Sequence, residues 1–166
     1  MSIDELGLAK KGFISAHGRF LEAHSNNDVD LWFAALSETI WWIAALDDYY
    51  AAHFGSYELI RDHSDYGGVI PGLKLARHKA IHELMLLVDY GYALRKNKSG
   101  VVNISQLHWR ATLVGVQDVR SKKQRLSFES KLAGQAVRYS LRRVNQFFIR
   151  QRDGLDEALG IEKFGT

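Results

Sequence analysis

The sequence predicts an all-α fold with a small irregular or β insertion, on three observations. Four long segments of the 166 residues repeat apolar side chains at helical spacing. The single proline, Pro71, stands where a helix can begin, since a first turn does not need the missing N–H. Residues 101–117 include many β-branched residues.

The first helix is expected over residues 3–24, where Leu6, Phe13, Phe20 and Leu21 recur near helical spacing with Ile14 and Ala23 beside them. Gly12 and Gly18 weaken it. Ser25-Asn26-Asn27 breaks the pattern, and Asn27 or Asp28 can cap the next helix. Residues 28–54 form the strongest helix. Val29, Trp32, Phe33, Leu36, Ile40, Ile43, Asp47 and Tyr50 lie along one stripe, and Trp41, Trp42 and Leu46 widen it. Bulky residues on more than one side predict a central helix or a subunit interface. Gly55 is the expected stop.

Residues 56–64 read as a short helix or turn, and residues 65–68 as a loop. A further helix is expected over residues 73–94, with Leu73, Ala76, Ala80, Leu84, Leu87 and Gly91 on one stripe. Residues 101–117 read as one or two short strands or an irregular insertion, and residues 118–127 as a polar loop or helix entry. The last helical stretch is expected over residues 128–159, with Leu132, Ala136, Tyr139, Val144 and Phe147 spaced for one buried face. Gly154 is a candidate break, and residues 160–166 are expected to fray. Four principal helices of these lengths suit one domain, residues 1–166, built as an up-and-down bundle of four or five helices.

The chain has no cysteine, which excludes disulfides, thiolate metal sites and cysteine nucleophiles. That fits a reducing compartment, and a cytoplasmic protein is expected. The first twenty residues carry Asp4, Glu5, Lys10 and Lys11 and no apolar run of signal-peptide length. The most apolar stretch, residues 31–45, is broken by Ser37 and Glu38 and is too short to span a bilayer, so no membrane association is expected.

The net charge of +3 is small, but its distribution is dipolar. Residues 28–65 hold eight acidic side chains against Arg61, and residues 120–152 hold ten basic side chains against Glu129. The basic end can bind a polyanion, or the two ends can face each other in a dimer. A charged helix face that is merely solvated is an equal reading of Lys131, Arg138, Arg142, Arg143 and Arg150.

The segment that carries chemistry is Arg77-His78-Lys79-Ala80-Ile81-His82, near the start of the third long helix. An arginine and a histidine enclose four residues, and a polar residue directly follows the arginine. This resembles the signature of the HEPN family of helical ribonucleases. Two long helices precede it, a loop with Pro71 leads in, and a long helix comes after it. The likeness covers residues 3–95 and 128–155. It implies a HEPN-like bundle and metal-independent cleavage of RNA, with no cofactor.

The residue types suit that reaction. Attack of a ribose 2′-OH on the adjacent phosphate needs proton transfer and a cation on the phosphorane. His82, with an ordinary pKa near ~6.5, serves as acid or base. Arg77 stays charged, grips phosphate oxygens through paired N–H groups and stabilises the growing charge. His78 is assigned a supporting role. On a helix Arg77 and His82 stand roughly 140° apart, so one motif brackets a phosphate poorly. Two copies across a two-fold axis bracket it well, as the family resemblance also implies. That resemblance further implies a toxin of a toxin–antitoxin or phage-defence system with an antitoxin partner.

Other readings stand beside this one. A non-catalytic helical dimer that binds protein or nucleic acid would use the same bundle. His78 and His82 also have the i, i+4 spacing of a metal pair, yet the glutamate of a zinc-protease motif is missing and no third ligand is fixed by the sequence. Glu38 and Asp47 can orient Arg77 or His82, although a salt bridge inside the bundle is the simpler role. His17, His24, His53, His63 and His108 are scattered and read as ordinary core or surface residues.

Overall fold

The computed structural model describes the backbone of residues 3–97, 100–112, 122–150, 157 and 159, and the side chains of these except at 3–4, 78–86, 92–105 and 150. Helices α1 (Ile3–Ser25), α2 (Val29–His53), α3 (Tyr57–His63) and α4 (Ile70–Leu87) come first. Strands β1 (Val88–Asn97) and β2 (Gly100–Trp109) come next, then α5 (Lys122–Lys131) and α6 (Val137–Asn145). The protein is mostly helical with one two-stranded sheet.

Local signals set the first boundaries. The Asp28 carboxylate accepts the Leu31 N–H at 3.1 Å and so caps α2. Asn27, with φ of 56°, makes the turn before it. Gly12 permits the close approach of α1 to α2, because a Cβ there would overlap the Trp42 ring. Pro71 lies in the first turn of α4, and Ser64 to Val69 leads in through a 3-10 turn.

One core joins these elements. Phe13 and Phe20 of α1, Trp32, Leu36, Ile40 and Ile43 of α2, Leu73 and Ala76 of α4, and Phe128 and Leu141 beyond the hairpin are all closed to solvent. Tyr50 lies between the rings of Tyr57 and Phe148, with centroids 5.2 and 5.8 Å away.

Three expectations need correction. The helix expected to reach residue 94 ends at Leu87, and residues 88–97 form a strand. This strand pairs antiparallel with β2, from Val88 opposite Trp109 to Asn97 opposite Gly100. The hairpin base is anchored by Trp109, which is buried against Phe128 and donates its indole N–H to Ser140 at 3.1 Å. The final stretch is not one helix. It breaks after Lys131, turns through Gly134 at φ of 72°, resumes as α6 and closes in a π-turn over Gln146–Arg150. Gly154 lies outside the described residues. Two supposed core residues, Leu21 and Tyr139, are 38% and 51% exposed.

The apolar character of α2 also exceeds the sequence reading. It is long and apolar enough to cross a membrane, with mean hydropathy 1.3 in its best 18-residue window, 44% of which is buried inside the protein. A core helix satisfies the same measure.

Candidate functional site

The site is built where α2 passes α4. Asp47 is on the buried side of α2, fully closed to solvent, and its neighbour Asp48 is exposed. Three donors converge on the Asp47 carboxylate. The Tyr57 hydroxyl donates at 2.8 Å, Arg61 Nη1 donates at 2.8 and 3.0 Å, and Lys74 Nζ donates at 2.8 Å. Lys74 also donates to Asp48 at 2.6 Å, so one ammonium from α4 joins both carboxylates of the doublet. One turn on, Arg77 Nη1 donates to the far oxygen of Asp48 at 3.3 Å.

The charges adjust to this arrangement. Burial works against the Lys74 ammonium, but the Asp47 charge and the bonds to both carboxylates outweigh it, and its pKa rises. Burial also opposes the Arg61 guanidinium, and its bond to Asp62 with the charge and bond of Asp47 more than restores it, so its pKa is raised. Tyr57 is pushed well up by burial and by Asp47 beside it. The interior part of the cluster therefore holds a charged Lys74 and a charged Arg61 beside a neutral phenol.

The two ends of the cluster differ in what they can do. Arg61 is 3% exposed, and its donors are committed to Asp47, Asp62 and Glu58. Arg77 is 36% exposed, and among the described residues it pairs with Asp48 at the surface. Both Arg77 and His82 belong to the helical backbone of α4. The side chains of His78 and His82 lie outside the described residues.

The remaining candidates separate cleanly. Asp47 makes the ion pairs inside the bundle, whereas Glu38 pairs with Arg19 on the surface. His17 is stacked on Phe13 and His24 on Trp32; burial lowers both pKa values, and the Arg138 charge lowers that of His24 further. His53 and His63 bond the carbonyls of Tyr49 and Leu59 one turn back. Among the described residues no group of three His, Asp or Glu side chains is placed to hold a metal ion.

The basic run is partly consumed by structure. Lys123 pairs with Asp62, Arg125 with Glu129, and Arg143 donates to the Asp65 carbonyl. Arg138 and Arg142 stand exposed on α6. A groove of about 290 Å³ between α1 and α2, lined by Arg19, Glu22, Leu31 and Glu38, lies at the opposite end of α2 from Asp48.

Lys74 and Asp48 were not singled out by the sequence, although the Asp47-Asp48 doublet within an apolar helix was a signal for a polar partner across the bundle. The chain matches no family model, no curated protein and no solved structure.

Proposed function

We propose that this protein is a metal-independent endoribonuclease of HEPN-like architecture, acting as a homodimer on RNA. The observation that carries the reading is the state of Arg77. It stands on helix α4 five residues before His82, is partly exposed, and among the described residues pairs with Asp48 at the surface. Arg61, by contrast, is closed off in the buried network around Asp47.

In this reading Arg77 holds the scissile phosphate and stabilises charge on the phosphorane. His82 moves the proton between the 2′-OH and the leaving 5′-oxygen. His78 supports it. Asp48 and Lys74 fix the rotamer of Arg77 from α2 and α4. Arg138 and Arg142 are the exposed cations best suited to the RNA backbone. A cytoplasmic toxin, held in check by an antitoxin protein, is the biological setting that the motif resemblance suggests.

The test is incubation of the purified protein with total RNA in EDTA, with the new ends then characterised. Attack by the 2′-OH leaves 2′,3′-cyclic phosphate and 5′-hydroxyl termini. Ends of the opposite polarity, or cleavage that EDTA abolishes, would remove this mechanism.

A further inference from the structure

Helix α6 has one apolar face, and the core uses it up. Val137, Leu141 and Val144 are closed to solvent, with Ser140 beside them. The outward side carries arginine. Arg138 and Arg142 are exposed, Arg143 is half-buried, and no acidic residue occurs between Ser130 and Arg152. Other cations of the chain are matched by carboxylates, Lys74 by Asp47 and Asp48, Lys123 by Asp62 and Arg125 by Glu129. Among the described residues neither Arg138 nor Arg142 has such a partner.

Tyr139 stands among these cations. It is 51% exposed, yet its position is set. The Arg143 guanidinium lies 5.8 Å from the centroid of its ring, a cation–π contact, and Arg143 is itself tied to the loop before α4 by donating to the Asp65 carbonyl. Arg143 therefore backs the ring while half of the residue stays open to solvent. By helical rotation Arg142 and Arg143 flank Tyr139, about 60° and 40° to either side, and Arg138 is one turn before Arg142.

This combination selects the partner. Unmatched cations attract any polyanion. An aromatic ring adds affinity only for a planar group that can lie on it, and a nucleobase can do so when it is not already stacked in a duplex. A lipid surface would need an apolar helix face, and that of α6 is buried.

We propose that the outward face of α6 binds unpaired nucleic acid, with Tyr139 as the platform for one base and Arg138 and Arg142 on the adjoining phosphates. Arg143 positions the platform. The proposal deepens the ribonuclease reading by naming its substrate as single-stranded, and it rests on that reading for the strand being RNA. Binding is tested apart from cleavage.

The probe is a labelled single-stranded DNA oligonucleotide, which offers bases and phosphates but no 2′-OH and so cannot be cut by the proposed chemistry. In fluorescence anisotropy the wild type should bind this strand more tightly than the duplex of the same sequence, although the duplex is the denser charge. Tyr139→Ala should weaken the strand by about 5- to 150-fold, the effect of one stacked base, and leave the duplex unchanged. Tyr139→Phe, which keeps the ring, should bind as the wild type does. Arg138→Gln and Arg142→Gln should each weaken both probes and reduce the salt slope for the strand by about 0.7. All four variants change exposed residues and should keep the wild-type far-UV circular dichroism. A wild type that binds the duplex as tightly as the strand overturns the proposal. So does Tyr139→Ala binding the strand undiminished, or a protein that takes up polyglutamate or phosphatidylcholine–phosphatidylglycerol vesicles and not the strand. A wild type that binds the strand and cuts no RNA keeps the site and removes the nuclease. Cleavage of RNA by a wild type that ignores the strand keeps the nuclease and removes the site.

Discussion

Arg61 of α3 and Asp47 of α2 form an ion pair at 2.8 Å with the guanidinium 3% exposed and the carboxylate wholly buried. Tyr57 and Lys74 complete the shell around the carboxylate. Removing one partner of such a pair strands the other charge in the interior, a loss of roughly 3–5 kcal/mol. Asp47→Ala should therefore destabilise the fold by that amount in urea unfolding. A loss of less than about 1 kcal/mol would show that water reaches Arg61 and that the network is not closed.

Arg77 presents the opposite case. Its contact with Asp48 is a surface pair at 3.3 Å, and pairs of this kind contribute about 0–1 kcal/mol. Arg77→Ala should keep nearly all the stability of the wild type while Arg61→Ala loses several-fold more. Unfolding midpoints of the two variants, read side by side, separate a structural arginine from an available one. Equal losses would make Arg77 part of the framework.

Two histidines set a pH dependence. Burial holds His17 below the ordinary value of 6.5, and burial with the Arg138 charge does the same for His24. The unfolded chain takes up protons near pH 6.5 and the folded chain resists. Stability is thus full above that value and falls as the pH drops through it toward the lowered folded values. Urea unfolding at about pH 7.5 and about pH 5.5, a window around the ordinary histidine pKa, should show the loss, and His24→Gln should reduce it. A flat profile would mean that both rings are solvated in the folded state.

Gly12 and Gly18 of α1 should respond in opposite directions to alanine. A glycine inside a helix ordinarily costs about 1 kcal/mol relative to alanine. At Gly18 a Cβ meets nothing within 4 Å, so Gly18→Ala should stabilise. At Gly12 the Cβ overlaps the Trp42 ring, and overpacking of this kind costs about 1–3 kcal/mol, so Gly12→Ala should destabilise. Thermal melts of the pair test the packing of α1 on α2.

Much of the helical framework was legible because its signals are local. The Asp28 cap, Pro71 in the first turn of α4 and the apolar stripe of α2 act within a few residues of where they stand in the chain. The α4–β1 boundary was missed because residues 84–94 satisfy two periods at once. Leu84, Leu87 and Gly91 continue the helical stripe, while Val88, Tyr90, Tyr92 and Leu94 alternate as a strand does. Pairing with β2 and the anchoring of Trp109 on Phe128 decide for the strand, and both are non-local. The break between α5 and α6 has the same origin. Gly134 donates to the Trp109 carbonyl, and Trp109 donates to that of Gln135, tying the turn to the hairpin base. At the site, Arg77 and His82 could be chosen by residue type and spacing alone. The roles of Asp48 and Lys74 depend on which turn of α2 meets which turn of α4, and no periodicity within either helix fixes that.

The most direct test is cleavage of total RNA in EDTA by the wild type, by Arg77→Ala, by His82→Ala and by the two variants mixed and refolded together. Expected are cutting by the wild type, silence from each variant alone, and partial recovery in the mixture, where one copy supplies the arginine and the other the histidine. An inert wild type, or variants that cut as well as it does, would contradict an Arg77–His82 nuclease.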